Sequence, residues 1–149
     1  MNFTIRDASA ADIDALVAGN QGIAQETEGK TLDDETLRRG VAAVIADPAK
    51  GRYWVAVADD RVVGQLMITW EWSDWRNGMM WWIQSVHVHT DFRRQGVYTS
   101  LYHHLENEAR KDATCGGIRL YVEHDNKRAQ ATYEALGMKH AGYRVMETD

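Results

Sequence analysis

Between Trp81 and Lys111 the chain passes from an apolar, strand-like run through a short basic turn into a long helical pattern. The turn reads RRQGVY from Arg93 to Tyr98, and the first free N–H groups of the helix that follows point back at it. These groups and the positive end of the helix dipole favour an anion. The two arginines add forked donors, and Gly96 lets the backbone approach a ligand closely. The junction therefore predicts a phosphate-binding strand, turn and helix, and taken alone it equally fits an ordinary helix that starts with basic residues.

This turn differs from two common phosphate-binding loops. A P-loop closes with Gly-Lys-Ser or Gly-Lys-Thr, and a dinucleotide fingerprint has three spaced glycines with an acidic residue about 20 positions later. Residues 93–98 have neither pattern. They resemble instead the signature of the GNAT superfamily of acyl-CoA-dependent N-acetyltransferases, Arg/Gln-x-x-Gly-x-Gly/Ala after a strand. Tyr98 departs from that signature, because a small residue is usual at its position.

A second segment, from Tyr121 to Met138, extends the resemblance over essentially the whole chain. It fits the family pattern Asn-x-x-Ala-x-x-x-Tyr-x-x-x-Gly at four positions, which are Asn126, Ala129, Tyr133 and Gly137. The resemblance implies a transferase that moves an acetyl group from acetyl-CoA, its co-substrate, to a primary amine of a small molecule or peptide through a ternary complex. The alternative is a non-catalytic acyl-CoA-binding sensor or partner subunit of the same fold.

The same resemblance implies which residues bind the coenzyme. The strand at residues 86–88 would pair with the pantetheine amides through backbone groups left free where it splays from its neighbour. The basic turn would hold the pyrophosphate. The expected coenzyme-binding residues are Val86, His87, Val88, Arg93, Arg94, Gln95, Gly96, Val97, Tyr98, Thr99, Asn126 and Tyr133. Because the strand would act through its backbone, His87 and His89 are interpreted as structural or solvent-facing side chains.

Amine acetylation also needs a proton donor for the departing thiolate and a base for the amine. Tyr133 matches the family tyrosine near the coenzyme sulfur, and a phenol with a pKa of about 10 can donate to a thiolate with a pKa of about 8.5 without itself ionising at neutral pH. Alternatively, Tyr133 is a core tyrosine that packs on a helix face and takes no part in the chemistry. Some family members carry a glutamate on the strand equivalent to residues 81–84, but no carboxylate occurs there. The candidate bases are Glu26, Glu28, Glu71, Asp74, Glu123 and water. We favour Glu28, since the resemblance places its loop over the acceptor cleft. We expect no metal ion in the site.

Three of the six tryptophans fall within residues 70–78. Trp70, Trp72 and Trp75, beside Glu71 and Asp74 and followed by Trp81 and Trp82, would form an aromatic and acidic wall for an organic ammonium. Equally, they would fill the core or a dimer interface. The sequence leaves both interpretations open.

Composition limits what the chain can bind. With 149 residues it is long enough for one domain, which we expect to span residues 1–149. A net charge of −5 argues against a general nucleic-acid or anionic-membrane binder and suits a cationic acceptor. There is no signal-peptide pattern and no apolar run of the roughly 18 residues that span a membrane. The single cysteine, Cys115, cannot form an internal disulfide, which fits a reducing cytoplasm. The sequence is also compatible with a homodimer.

Hydrophobic periodicity predicts the element order β-α-α-β-β-β-α-β-α-β. The expected strands cover residues 3–6, 52–58, 62–69, 80–89 and 117–123, with a last strand around Val145. The first expected helix is capped by Ser9, and Gly19 and Gly22 weaken its end, so that residues 25–30 form a loop or frayed turn. The other expected helices cover residues 33–46, 96–112 and 126–137. We therefore expect an α/β (α+β) fold, with a mixed sheet and helices on both faces. The resemblance further implies that the sheet is mostly antiparallel.

Overall fold

The computed structural model describes residues 2–149. Its strands are β1 (Thr4–Asp7), β2 (Arg52–Ala58), β3 (Arg61–Ser73), β4 (Gly78–Val88) and β5 (Cys115–Leu120). Its helices are α1 (Ile13–Glu28), α2 (Asp34–Ala46), α3 (Val97–Lys111) and α4 (Lys127–Ala135). Within the described residues, no helix is long and apolar enough to cross a membrane.

The strands form one sheet in the order β1-β2-β3-β4-β5. Neighbouring strands run antiparallel from β1 to β4, and only β4 and β5 are parallel. Their pairing runs from Met79 opposite Cys115 to Ile83 opposite Leu120. Strand β4 then continues to Val88 while β5 ends. The mixed, mostly antiparallel sheet is thus confirmed, and its one parallel pair opens at the end nearest the basic turn.

Successive side chains of the central strands point to opposite faces of the sheet, so the core has one part on each face. In β2, Trp54 packs into one buried cluster with Leu101 and Leu105 of α3. Its neighbours Tyr53 and Val55 join a second cluster with side chains of α1 and α2, including Leu16 and Val41. Each large apolar side chain that is fully buried contributes about 1.5–3 kcal/mol relative to exposure. The predicted placement of helices on both faces is confirmed.

Side-chain caps begin two of the helices. The carboxylate of Asp33 accepts a hydrogen bond from the Thr36 N–H at 2.9 Å and starts α2. The Asn126 side-chain oxygen accepts one from the Ala129 N–H at 3.1 Å, which confirms the predicted cap of α4. Ser9 precedes a short 3-10 turn rather than α1 itself.

The first helix is longer than its sequence predicts. Residues 25–30 were expected to be a loop, but α1 continues to Glu28 and ends at Gly29, whose φ is 62°. The expectation of a weak end rested on Gly19 and Gly22, which the structure instead turns towards side chains of the sheet. Contact with the sheet therefore outweighs the low helix propensity of the two glycines.

The long hairpin also differs from its predicted form. The predicted strands cover residues 62–69 and 80–89 and leave the tryptophan-rich residues 70–78 between them as a loop, yet β3 extends through Ser73 and β4 starts at Gly78. Cross-strand pairing continues through Trp70 opposite Trp81 and Trp72 opposite Met79. Aromatic side chains favour such half-buried, paired positions, so the hairpin is longer and its turn shorter than the polar residues suggested.

The C-terminal strand predicted around Val145 is absent. Residues 138–149 contain no helix or strand, and Val145 is 70% exposed. A strand needs a neighbour for its backbone hydrogen bonds, and no described strand pairs with this segment. Strand β5 also begins and ends earlier than predicted, at Cys115 and Leu120 instead of Gly117 and Glu123.

Candidate coenzyme and acceptor site

An irregularity in β4 lies next to the point where β4 and β5 separate. Gln65 of β3 faces His87 and Met67 faces Gln84, so the single residue between them on β3 opposes two residues of β4. One of these two, Ser85, has a φ of 51° in the left-handed region. This β-bulge, at Ser85 and Val86, lies at the start of residues 86–88, which have no β5 partner within residues 2–149. The strand edge expected to bind pantetheine is therefore free.

The basic turn joins this strand to α3 with left-handed backbone at two positions. Gly96, the residue before the first turn of α3, has a φ of 82°, and Arg94 has a φ of 62°. Apart from the glycine itself and its two chain neighbours, no residue in the described range 2–149 comes within 4 Å of where a Cβ of Gly96 would stand. Glycine is favoured there by its backbone conformation, since side chains crowd the left-handed region. Val97 then opens α3 with its free N–H groups directed at the turn.

The two arginines of the turn have different partners. Arg93 donates from Nη2 to Glu26 Oε1 at 2.6 Å and from Nε to the Val88 carbonyl oxygen at 3.0 Å. It thereby ties the end of β4 to α1. Arg94 is exposed, and no hydrogen-bond or ion-pair partner for its guanidinium lies within residues 2–149. Of the pair, Arg94 is the arginine available to a phosphate.

The structure brings the two sequence motifs into contact through their tyrosines. The rings of Tyr98 and Tyr133 meet edge to face, with centroids 5.8 Å apart and planes at 73°. The Tyr98 hydroxyl is buried and has no hydrogen-bond partner among the described residues. Burial and the neighbouring Tyr133 phenol raise the pKa of Tyr98 far above its ordinary value, and burial also raises the pKa of Tyr133. Both phenols are protonated at neutral pH.

The candidate bases lie in separate surroundings. Glu28 stands at the end of α1, half exposed, with Lys30 Nζ 3.4 Å from its carboxylate. Glu26 is held by Arg93, and Glu71 lies 3.6 Å from Arg119. The sequence signalled these carboxylates, but it gave no sign that Glu26 and Glu71 pair with arginines distant along the chain.

His87 has a partner that sequence reasoning missed. Its side chain is only 16% exposed, and its Nε2 atom lies 3.7 Å from Glu26 Oε1. Burial lowers the pKa of His87, with Glu26 opposing that effect and Arg93 and His89 reinforcing it. A Cβ at Gly22 would stand 2.7 Å from His87 Nε2, so the glycine makes room for the imidazole against α1. In the sequence, the sign of this close packing was the pair of glycines in α1, Gly19 and Gly22.

The tryptophans do not form a single wall. Trp81 is buried in the core, and the partly buried Trp70 packs edge-on against it with centroids 6.4 Å apart, so both contribute to the packing of the core. Trp82 is half-buried and stacks on Tyr121 at 4.5 Å. The guanidinium of Arg119 already lies over the Trp82 ring, 6.0 Å from its centroid. The ammonium-binding interpretation therefore fails for the two core tryptophans.

Comparison with known proteins decides the family. Residues 20–138 match the model of the acetyltransferase (GNAT) family. The chain belongs to the GNAT family. This GNAT protein is therefore an acyltransferase enzyme, as the two motifs predicted, and its family uses acetyl-CoA.

Individual relatives agree with this assignment. An N-alpha-acetyltransferase of Saccharolobus solfataricus is 29% identical over 93% of this GNAT chain and 81% of its own length. The crystal structure of a possible acetyltransferase from Clostridium difficile 630 is 44% identical, with a TM-score of 0.93 over 100% of this chain and 98% of that chain. A predicted acetyltransferase from Clostridium acetobutylicum, crystallised with acetyl-CoA, is 20% identical with a TM-score of 0.80 over 99% and 96% of the two chains. That last likeness shows the fold alone.

Proposed function

We propose that the protein transfers the acetyl group of acetyl-CoA directly to a primary amine of a small molecule or peptide within a ternary complex. The observation that carries the proposal is the opening of the sheet after Ile83, where residues 86–88 present an unpaired backbone edge beside the turn at Gly96. An extended ligand with amide groups can pair with such an edge as an added strand. Its phosphates would then reach the start of α3.

The residues around this opening suit coenzyme A. Backbone groups of Val86, His87 and Val88 would bind the pantetheine amides. Arg94 would pair with the pyrophosphate, and the N–H groups of Gln95, Gly96, Val97, Tyr98 and Thr99 would donate to it. Arg93 would support the site by fixing the end of β4, since its guanidinium is engaged by Glu26. Asn126 would act by capping α4, which carries Tyr133.

In the proposed reaction the neutral amine nitrogen attacks the thioester carbonyl carbon, a C–N bond forms and the C–S bond breaks. The electron pair of the broken bond leaves with sulfur, and the thiolate takes a proton from Tyr133. The ammonium-like nitrogen loses its proton to a base, for which we keep Glu28, with Glu26, Glu71, Asp74, Glu123 or a water chain as alternatives. The position of Glu28 at the start of the connection between α1 and α2, where it is half exposed, supports this role.

The absence of a carboxylate at residues 81–84 favours an acceptor amine with a low pKa. A lysine-type amine has a pKa of about 10.4, whereas a peptide α-amine has a pKa of about 7.7–8.0. At pH 7 about one α-amine in ten is already neutral, against fewer than about one lysine amine in a thousand. No carboxylate stands on the strand at residues 81–84. Together with the N-alpha-acetyltransferase among the relatives, this supports a peptide α-amine as the acceptor.

A thiol-release assay tests the function. The protein is mixed with acetyl-CoA and with matched peptides that carry either a free α-amine or a blocked α-amine and one lysine; small alkylamines complete the panel. We expect thiol release to depend on the amine and to be fastest with the free α-amine. Binding of acetyl-CoA without thiol release from any amine would instead support the non-catalytic acyl-CoA sensor.

We also propose a homodimer and a cytoplasmic location. The exposed apolar side chains of the C-terminal segment support the first, since Tyr143, Val145 and Met146 are each at least 70% exposed. The free thiol of Cys115 is compatible with the second. The molecular mass in solution checks the assembly, and a purely monomeric mass at micromolar concentration would contradict it.

A further inference from the structure

Gln65 places an amide in the interior of the sheet. The residue is 2% exposed, and its Nε2 donates a hydrogen bond to the carbonyl oxygen of Ser85 at 3.1 Å. A buried amide is costly unless it is hydrogen-bonded, so this bond is part of what makes glutamine tolerable there. Its acceptor belongs to the left-handed residue of the β4 bulge. The buried glutamine therefore contacts the irregular point of the strand that precedes the free edge.

Helix α1 has a glycine where it contacts the Gln65 side chain, and this leaves space for the amide. A Cβ at Gly19 would stand 2.1 Å from Gln65 Oε1 and 2.7 Å from its Cδ, so any other residue would displace the amide. Three residues later Gly22 makes the same allowance for His87, the cross-strand neighbour of Gln65. A glycine inside a helix is less favourable than an alanine. Two on one face of α1 indicate that close contact with the bulge outweighs that cost.

The bulge decides which groups of β4 face the opening. Side chains alternate along a strand, so removal of one extra residue would exchange the faces of His87 and its two valine neighbours. It would also turn the backbone donors and acceptors of residues 86–88 to different directions. A non-glycine residue at a φ of 51° is strained and persists only where its surroundings hold it. The Gln65 amide is one such support.

We propose that Gln65 is a positioning residue for coenzyme binding, which holds the Ser85 bulge so that residues 86–88 present their free backbone edge to pantetheine. The inference rests on the proposed function, since it assumes that this edge binds acetyl-CoA. It assigns a role to a side chain that touches neither the phosphate turn nor the tyrosine pair. Its effect should be confined to the part of the ligand that lies along β4.

The test compares two ligands in the Gln65→Met variant, which keeps the side-chain length and removes the donor. Calorimetry measures the Kd of acetyl-CoA and of 3′-phosphoadenosine 5′-diphosphate, which has the phosphates of coenzyme A but no pantetheine. We expect the acetyl-CoA Kd to rise about tenfold, the size of one hydrogen bond's effect, and the nucleotide Kd to change less than about twofold. Gln84→Met is the matched control, because Gln84 bonds Thr69 at 2.6 Å ahead of the bulge.

Equal weakening of both ligands would overturn the inference, since it would indicate general loosening of the fold. An unchanged acetyl-CoA Kd in Gln65→Met, or the same loss in Gln84→Met, would overturn it as well. If Gln65→Met does not fold, Gly19→Ala gives the same comparison, because its methyl group displaces the amide from the other side. Failure of the unaltered protein to bind acetyl-CoA would instead refute the proposed function itself.

Discussion

Tyr98 departs from the small residue that the GNAT signature has at its position, and it lies against the tyrosine expected to protonate the coenzyme sulfur. Its ring supports one side of Tyr133, and its buried hydroxyl has no hydrogen-bond partner within residues 2–149. Burial raises the pKa of Tyr133, so the phenol keeps its proton at neutral pH and is available as a donor. The departure therefore changes the packing of the proposed acid and leaves its protonation state suited to donation.

Replacement of Tyr133 by phenylalanine tests that acid. The ring and its contact with Tyr98 remain, whereas the proton donor is lost, so we expect kcat to fall about 100-fold with little change in the Kd of acetyl-CoA. Steady-state thiol release and calorimetry measure the two quantities. Unchanged turnover would remove Tyr133 from the mechanism, and a parallel loss of coenzyme binding would assign it a structural role.

At the scale of single residues, the sequence indicated which residues have a role better than it indicated which residues they contact. The Asn126 cap is confirmed because a cap depends on neighbours three residues away. Arg93 and Arg94 were treated alike, yet only Arg93 meets Glu26, a residue far away in the sequence. Local patterns carry no information about such a contact, which arises when α1 packs against β4.

Among the elements, α1 departs most from its sequence pattern. Two glycines and a polar end predicted fraying after Gly22, whereas the helix continues to Glu28. The glycines permit close packing on Gln65 and His87, and a pattern read along one chain cannot display the surface that a glycine faces. Strand β2, whose apolar run is central and bounded by turn residues, was predicted with its observed limits.

The contact of α1 with β4 makes stability depend on pH through His87. Burial lowers the pKa of His87 below its ordinary 6.5. In the window from about pH 6.5 down to the folded pKa, the unfolded chain binds a proton at this site that the folded chain does not. Stability from this group is therefore present above about pH 6.5 and is lost as pH falls through the window.

Denaturant unfolding of the protein and of a His87→Gln variant measures this effect. We expect the free energy of unfolding to drop more between about pH 7.5 and pH 5.5 in the unaltered protein than in the variant, which lacks the titrating ring. His103→Gln is a suitable control, since His103 is an exposed residue of α3. An equal drop in all three proteins would show that His87 does not contribute.

For the whole molecule, the sequence predicted the order of the first nine elements, and the sheet and its helical layers are confirmed. The strand expected around Val145 is absent, because an apolar, alternating pattern shows that a segment can pair but not that a neighbour exists. The splay of β4 from β5 followed only from the family resemblance. The bulge at Ser85 and its hydrogen bond from Gln65 involve β3, β4 and α1 together, and no local sequence pattern displays such contacts.

The central claim is that the opening beside Gly96 binds acetyl-CoA, and the thermal midpoint with and without saturating acetyl-CoA tests it most directly. Ligand at 100 times its Kd adds about 2.7 kcal/mol, which corresponds to roughly 5–10 °C in a protein of this size. We predict that rise in the unaltered protein and in Arg39→Ala, an exposed arginine of α2, and a much smaller rise in Arg94→Ala. No rise in the unaltered protein, or an undiminished rise in Arg94→Ala, would contradict the account.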